Sequence, residues 1–157
     1  MLFRSDPLTG LYNRLFLKEL MAPFMNGNGG TVITADCDGL KQINDKYGHA
    51  AGDQYIILAA KLLKQTLPED SYIFRIGGDE FLALLPGVRA QKAQKYVEQI
   101  MKNAKLYRTN DFALEISAGS YSTSVNSKQS MDKCIVKSDR RMYQNKQLHR
   151  ALRAMKK

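Results

Sequence analysis

A glycine pair, Gly77-Gly78, constrains the fold more than any other feature, because it separates two short apolar runs. The runs cover residues 72–76 and 80–85, and both are rich in residues that favour strands. Glycines between such runs are typical of a tight hairpin, whose turn requires positive φ angles. The two runs are therefore expected to pair as antiparallel strands.

Apolar periodicity outside this hairpin indicates two further strands and five helices. The expected strands cover residues 31–35 and 113–117. The expected helices cover residues 11–25, 40–47, 54–67 and 89–107, and a last helix starts near residue 131. This order of helices and strands predicts an α+β fold in which helices pack on a mainly antiparallel sheet.

Length and composition favour one globular domain. The chain has 157 residues, of which 44% are hydrophobic and 25% charged, and this length is enough to build a core. No apolar run approaches the ~18 residues of a membrane span. Two cysteines, Cys37 and Cys134, are too few for a disulfide scaffold and favour a reducing cytoplasm. Zinc fingers are excluded because paired Cys/His spacings are missing, and two histidines without a nucleophile motif argue against a Ser-His-Asp hydrolase.

The formal net charge of +9 is concentrated at the C-terminal end of the chain. Residues 137–157 contain one acidic residue, Asp139, and eight basic ones: Lys137, Arg140, Arg141, Lys146, Arg150, Arg153, Lys156 and Lys157. Such a segment can bind phosphates, nucleic acid or an anionic membrane face, and a solvated helix face explains it equally well.

Carboxylates follow the first expected strand in the segment Asp36-Cys-Asp38-Gly-Leu-Lys41. Oxygen ligands of this kind suit Mg²⁺, which keeps phosphate oxygens among its other ligands. An isolated Asp-x-Asp pair is also common as a turn cap, so this segment alone leaves both interpretations open.

A second pair of carboxylates, Asp79 and Glu80, stands at the hairpin. A turn requires the glycines but does not require two successive acids, which repel each other unless a positive charge offsets them. A divalent cation would do so, and a solvated turn is the simpler alternative.

Two further groupings could recognise a nucleotide. Lys146 and Arg150 lie one helical turn apart and could hold a triphosphate. Asn44 and Asp53 flank Gly48 and Gly52 and could read the edge of a guanine, since an amide and a carboxylate complement its donors and acceptor. A solvated face explains the first pair, and helix capping explains the second.

Together these segments resemble the GGDEF domain family. The resemblance covers about residues 6–150, in five ordered blocks: Asp6-Pro-Leu-Thr-Gly-Leu-Tyr-Asn-Arg14, Asp36-Cys-Asp-Gly-Leu-Lys-Gln-Ile-Asn-Asp45, Gly48-His-Ala-Ala-Gly-Asp53, Arg75-Ile-Gly-Gly-Asp-Glu-Phe81 and Ser138-Asp-Arg-Arg-Met-Tyr-Gln-Asn-Lys146 with Arg150. It implies a ferredoxin-like fold similar to the palm of nucleotidyl cyclases, with about five strands. It also implies a diguanylate cyclase, which condenses two GTP into cyclic di-GMP and two pyrophosphates.

The resemblance assigns roles to individual residues. Asp36, Glu80 and the Cys37 carbonyl would hold Mg²⁺ or Mn²⁺, two ions per GTP, and Asp79 and Glu80 would be catalytic. The substrate contacts would come from Gly39, Leu40, Lys41, Gly77 and Gly78 near the phosphates, Lys146 and Arg150 on the outer phosphates, and Asn44 and Asp53 on guanine. Each domain would hold one GTP, so a second copy of the domain would be required for turnover.

One departure from the family concerns product inhibition. Family members inhibited by their product carry Arg-x-x-Asp ahead of the glycines, whereas this chain has Pro68-Glu-Asp-Ser71. We therefore expect no product binding at that position. Residues 1–157 are expected to form one domain with a basic tail at 151–157, excised from a longer sensory protein. The domain is expected to lie in the cytoplasm. A tether to the inner membrane through an upstream region is also compatible with the sequence.

Two other functions remain alternatives at this point. A catalytically silent GGDEF domain would bind GTP and regulate a partner domain, although intact Asp79 and Lys146 count against it. A nucleic-acid-binding module would fit the ferredoxin-like order and the basic end of the chain. Carboxylates at Asp79 and Glu80 would repel a phosphate backbone, so we expect neither nucleic-acid binding nor membrane contact by this segment.

Overall fold

A computed structural model describes residues 2–25, 29–124 and 130–156 of the chain. Its helices are α1 (Arg14–Met25), α2 (Leu40–Tyr47), α3 (His49–Thr66), α4 (Ala90–Asn103) and α5 (Met131–Met155), and its strands are β1 (Gly30–Cys37), β2 (Tyr72–Arg75), β3 (Glu80–Pro86) and β4 (Ile116–Thr123). Short 3₁₀ turns cover Leu2–Arg4 and Ala104–Leu106. The order of helices and strands is the one that the sequence predicts.

The strands form one sheet in the order β2-β3-β1-β4, and every neighbouring pair is antiparallel. The expected α+β fold with an antiparallel sheet is therefore confirmed, with four strands among the described residues rather than about five. The register places Asp36 directly opposite Glu80 on one side and Ser117 on the other. Residues opposite each other share a face of the sheet, so Asp36 and Glu80 project from the same face.

The two faces of the sheet are buried against different helices. Ile33, Ala35 and Cys37 point to one face and pack with buried residues of α3 and α4. Val32 and Leu82 point to the other face, against α1 and α5. This alternation along β1 sends Asp36 to the α5 side, because side chains in a strand change face at every residue.

Strand β4 begins at Ile116, three residues after the start that the sequence predicts. Its centre, Ala118-Gly119-Ser120, consists of small residues with weak strand preference. A side chain at Gly119 would place its Cβ 2.2 Å from the backbone nitrogen of Met142 in α5. Small residues are needed here because α5 approaches the sheet closely, and this tertiary requirement overrides local propensity.

The hairpin glycines do not have the positive φ angles that we expected of them. Positive φ values occur at Gly10, Gly39, Gly48 and other glycines, but neither Gly77 nor Gly78 has one. Gly77 instead leaves room for the Glu80 side chain, since a Cβ there would lie 2.5 Å from Oε2 of Glu80. None of the described helices is both long enough and apolar enough to cross a membrane.

Candidate active site

Strand β1 delivers three consecutive residues to one corner of the molecule. Asp36 is half-buried, whereas Cys37 and Asp38 are buried. The Cys37 N–H donates to the Asp79 carbonyl over 3.0 Å, and the Asp38 N–H donates to the Glu115 carbonyl over 2.8 Å. These bonds hold the end of β1 between the hairpin and the segment before β4, so the acidic residues have fixed positions.

The Asp36 carboxylate is under-compensated. Its Oδ2 lies 2.9 Å from the Lys146 ammonium, but its Oδ1 is buried and has no hydrogen-bond partner. Burial raises the pKa of Asp36 to about 6; the hydrogen bond and charge of Lys146 oppose this shift, and neighbouring Asp79 adds to it. An unpartnered carboxylate oxygen beside further carboxylates is an arrangement that an additional cation would stabilise.

Asp38 has a structural environment that the sequence did not reveal. Its side chain is only 1% exposed, and Oδ2 accepts from Ser117 Oγ over 2.6 Å. The same Oδ2 lies 3.3 Å from Nδ1 of His149, and Oδ1 lies 3.8 Å from Lys146 Nζ. The Asp38 carbonyl also accepts from the Tyr55 hydroxyl over 2.6 Å. Asp38 therefore connects β1, β4, α3 and α5.

The cations of α5 occupy different surroundings. Lys146 is mostly buried, and Asp36 and Asp38 keep its pKa raised although burial by itself lowers that pKa. Arg150, one turn later, is exposed, and no ion pair joins it to another described residue. The Asn145 side chain donates to the Ala118 carbonyl over 2.8 Å, which fixes this turn of α5 above β4.

The hairpin tip is held by Arg75, whose role the sequence analysis did not assign. Its guanidinium donates to the Gly78 carbonyl over 3.0 and 3.3 Å and pairs with Asp6 over 3.2 Å. Asp6 in turn accepts from the backbone N–H and the hydroxyl of Thr9. The position of Arg75 within the motif Arg75-Ile-Gly-Gly was the available signal. The first block of the resemblance thus supports the hairpin.

Within the hairpin, the two acids face different environments. Asp79 is half-buried and lies close enough to Asp36 to raise the pKa of that carboxyl. Glu80 is exposed, and its side chain lies over Gly77, with Oε2 2.5 Å from where a Cβ would be.

The corner between α2 and α3 contains the remaining predicted contacts. Gly39, with a φ of 76°, precedes α2. The N–H groups of Leu40 and Lys41 have no intrahelical acceptor because they lie in the first turn of that helix. Asn44 lies over Gly52, where a Cβ would fall 1.8 Å from its Oδ1. Asp53 is exposed in α3. The glycine at position 52 therefore leaves space for the amide that the sequence analysis assigns to guanine.

The candidate ligands are oxygen donors, which suit a magnesium or manganese ion, but they are few. Among the described residues there is no group of three or more His, Cys, Asp or Glu side chains in metal-binding geometry. Two carboxylates and a backbone carbonyl are the ligands assigned from the sequence, and Mg²⁺ binds few protein carboxylates when phosphates supply the rest. Oδ1 of Asp36 has no hydrogen-bond partner that an ion would have to displace. The Cys37 thiol does not contribute, because it points to the face of the sheet opposite to Asp36, into the apolar core.

Comparison with known proteins identifies the family. The family described as "Diguanylate cyclase, GGDEF domain" matches residues 4–151. The chain is 36% identical over 148 residues to the probable diguanylate cyclase DgcJ of Escherichia coli, a match that covers 91% of this chain and 29% of DgcJ. It is 37% identical over 101 residues to the diguanylate cyclase DgcP of Pseudomonas aeruginosa, covering 61% of this chain and 15% of DgcP.

Solved structures agree with this result. The diguanylate cyclase SiaD of Pseudomonas aeruginosa, solved with its activator SiaC, superposes with a TM-score of 0.80 at 28% identity, over 91% of this chain and 58% of SiaD. The coiled coil and GGDEF domain of DgcB from Caulobacter crescentus shares the fold, with a TM-score of 0.82 at 22% identity, over 92% of this chain and 81% of that one. The chain spans less than a third of the two curated relatives. The family expected from the sequence motifs is confirmed: this chain belongs to the GGDEF family of diguanylate cyclase domains.

Proposed function

We propose that this chain is an active diguanylate cyclase, which condenses two GTP into cyclic di-GMP and releases two pyrophosphates. The observation that carries the proposal is the buried, unpartnered Oδ1 of Asp36, in a strand register that sets Asp36 against Glu80. Such a concentration of negative charge is costly unless cations occupy it. A nucleotide triphosphate with divalent cations would supply both the charge and the missing oxygen ligands.

In this proposal Asp36, Glu80 and the Cys37 carbonyl hold Mg²⁺ or Mn²⁺, two ions per nucleotide. When bound, the ions stabilise the attacking 3′-oxygen and the leaving pyrophosphate of an in-line displacement. Asp79 accepts the proton of the 3′-hydroxyl or supports the metal site. No protein nucleophile takes part, because the attacking oxygen belongs to the second GTP.

The triphosphate and the base are held by separate parts of the chain. The free N–H groups of Leu40 and Lys41 meet the phosphates near Gly39, and Gly77 and Gly78 allow close approach from the hairpin. Lys146 and Arg150 hold the outer phosphates. Asn44 and Asp53 bind the guanine edge, which favours GTP over ATP because adenine does not offer the paired donors that a carboxylate accepts.

Turnover requires a second copy of the domain. Each domain holds one GTP, and each 3′-hydroxyl must reach the α-phosphate held by the other copy. The isolated chain is therefore expected to be slow at low concentration. The proposal also places the domain in the cytoplasm, where GTP is available, and takes residues 1–157 as one domain of a longer protein.

Product inhibition through an Arg-x-x-Asp site is not part of this proposal. The corresponding stretch, Pro68-Glu-Asp-Ser71, has proline at the arginine position and serine at the aspartate position. Pro68, Glu69 and Ser71 instead line a cavity of about 330 Å³ together with Lys64 of α3. Calorimetric titration with cyclic di-GMP is expected to show no binding that is independent of the GTP site.

The test is to fuse the chain to a parallel coiled-coil dimeriser, supply GTP and Mg²⁺, and identify products by mass spectrometry. Cyclic di-GMP from the parent fusion, with none from an Asp79→Ala/Glu80→Ala fusion, is the expected result. A fusion that binds GTP but forms no product in several coiled-coil registers would favour the second candidate, a silent domain that regulates a partner.

A further inference from the structure

The second histidine of the chain, His149, lies in a hydrogen-bonded group that the proposed reaction does not use. Its side chain is 30% exposed on α5, three residues after Lys146. Nδ1 lies 2.9 Å from Ser117 Oγ and 3.3 Å from Asp38 Oδ2. Both neighbours come from the β1 and β4 ends, and both are buried.

The hydrogen-bond inventory fixes which atom carries the proton. The Ser117 hydroxyl donates its only hydrogen to Asp38 Oδ2 over 2.6 Å, so towards His149 it can only accept. An ionised Asp38 carboxylate can also only accept. Nδ1 of His149 must therefore be the donor to both, which requires the Nδ1–H form of the ring.

The two oxygens of the Asp38 carboxylate have different neighbours in this arrangement. Ser117 and His149 both occupy Oδ2, and Oδ1 is left 3.8 Å from the Lys146 ammonium with no hydrogen-bond partner. A carboxylate held by two donors on one oxygen is fixed in rotation, so its other oxygen has a fixed direction. Lys146 then lies between Asp36 and Asp38, both of which attract it.

We propose that His149 is a positioning residue for Lys146, acting through the buried carboxylate of Asp38. This inference rests on the proposed function, in which Lys146 holds the outer phosphates of GTP. His149 does not touch the nucleotide. Its contribution is to keep the ammonium within the site before the triphosphate arrives, which lowers the cost of ordering that flexible side chain on binding.

The variants His149→Leu and His149→Asn test this inference, because the asparagine amide can donate from the place of Nδ1 whereas leucine cannot. Binding is measured by calorimetry with Mg²⁺ and α,β-methylene GTP, which does not react, and in parallel with GMP, which has no outer phosphates. His149→Leu is expected to weaken binding of the triphosphate about tenfold, as for loss of a charge-assisted hydrogen bond, and to leave GMP binding unchanged. His149→Asn is expected to restore most of the loss. Gln144→Leu, at an exposed position of the same helix, is the matched control.

A second measurement determines directly which ring nitrogen of His149 carries the proton. Long-range ¹H–¹⁵N spectra at pH 8, where an ordinary histidine is neutral, distinguish a protonated Nδ1 from a bare one. His149 is expected to show a protonated Nδ1, and exposed His49 serves as the reference. A bare Nδ1, or equal weakening of GMP and triphosphate binding in His149→Leu, would overturn the inference.

The two proposals can fail separately. If the wild-type chain makes no cyclic di-GMP when dimerised in several coiled-coil registers, the proposed cyclase activity is contradicted, while the affinities of the variants for the unreactive nucleotide still decide the role of His149. If the chain is active and His149→Leu binds the triphosphate as tightly as wild type, the positioning role alone is wrong.

Discussion

The end of β1 and the tip of the β2–β3 hairpin each carry two carboxylates, but the two pairs are built differently. Asp36 and Asp38 are two residues apart, and both lie near Lys146. Asp79 and Glu80 are adjacent, so one is half-buried against Asp36 and the other is exposed. Spacing decides which acids share a face, and burial then decides which of them is free to bind a ligand.

The difference is sharpest within the first pair. Asp38 has donors on one oxygen and is buried, as a structural residue should be. Oδ1 lacks a hydrogen-bond partner in both carboxylates, but Asp36 has only the Lys146 ammonium on Oδ2 and is not fully buried, which leaves it accessible to a ligand. Residues that carry chemistry are often held in such destabilising surroundings.

The largest expected effect is the loss of turnover when an acidic residue of the proposed metal site is replaced. Asp36→Asn and Glu80→Gln each remove a metal ligand of the proposed site and should reduce cyclic di-GMP formation by about a thousandfold. Neither should lower the melting temperature, because Asp36→Asn relieves the repulsion by Asp79 and Glu80 is exposed. The measurement is product formation by the dimerised chain together with thermal unfolding. A variant that keeps a tenth of the activity would remove that carboxylate from the site.

The next effect is on stability and concerns Asp38. Asp38→Ala leaves Ser117 and His149 without their acceptor and should lower the free energy of unfolding by about 3 kcal/mol, as for breaking a buried charged pair. Asp36→Ala, two residues away, is the comparison variant; it removes the Lys146 ion pair together with the repulsion by Asp79, which oppose each other, so its loss should be smaller. Urea unfolding without nucleotide measures both. Equal losses in the two variants would erase the distinction between the acids.

A smaller effect separates the two hairpin glycines. Gly77→Ala places a Cβ 2.5 Å from Oε2 and 3.2 Å from Cβ of Glu80, so the Glu80 side chain must move. We expect about a tenfold loss of kcat/KM at nearly unchanged stability, because the displaced atoms are at the end of a flexible side chain. Gly78→Ala meets nothing within 4 Å and should behave as wild type. Loss of activity in Gly78→Ala alone would show that backbone conformation, not space, explains this glycine pair.

Apolar periodicity was enough to predict the order of helices and strands and the antiparallel hairpin, because burial of one face imposes those patterns. The start of β4 was missed because small residues with weak strand preference occupy its centre. They are needed there because α5 packs closely on this strand, and the contacting residues of α5 are more than 20 positions away in the chain. The positive φ expected at Gly77-Gly78 was wrong for a related reason, since the glycine makes room for a side chain. The sequence alone could not predict the role of Asp38, because its partners Ser117 and His149 are distant in the chain.

The smallest effect is the pH dependence that Asp36 gives to the nucleotide-free domain. Its pKa is raised from 3.8 to about 6 in the folded chain, so the native state binds a proton more tightly than the unfolded state does. The stability from this group is fully present below pH about 4 and is lost as the pH rises towards and through about 6. Asp36→Asn lacks this titration, so the wild-type chain should lose stability relative to the variant between pH 4 and 6. The difference in urea midpoint, measured in EDTA at pH 4, 5, 6 and 7, should change over that interval and level off above it. A difference that stays constant, or that moves in favour of the wild type as the pH rises, would mean that Lys146 compensates Asp36 fully and that no charge is left for a cation.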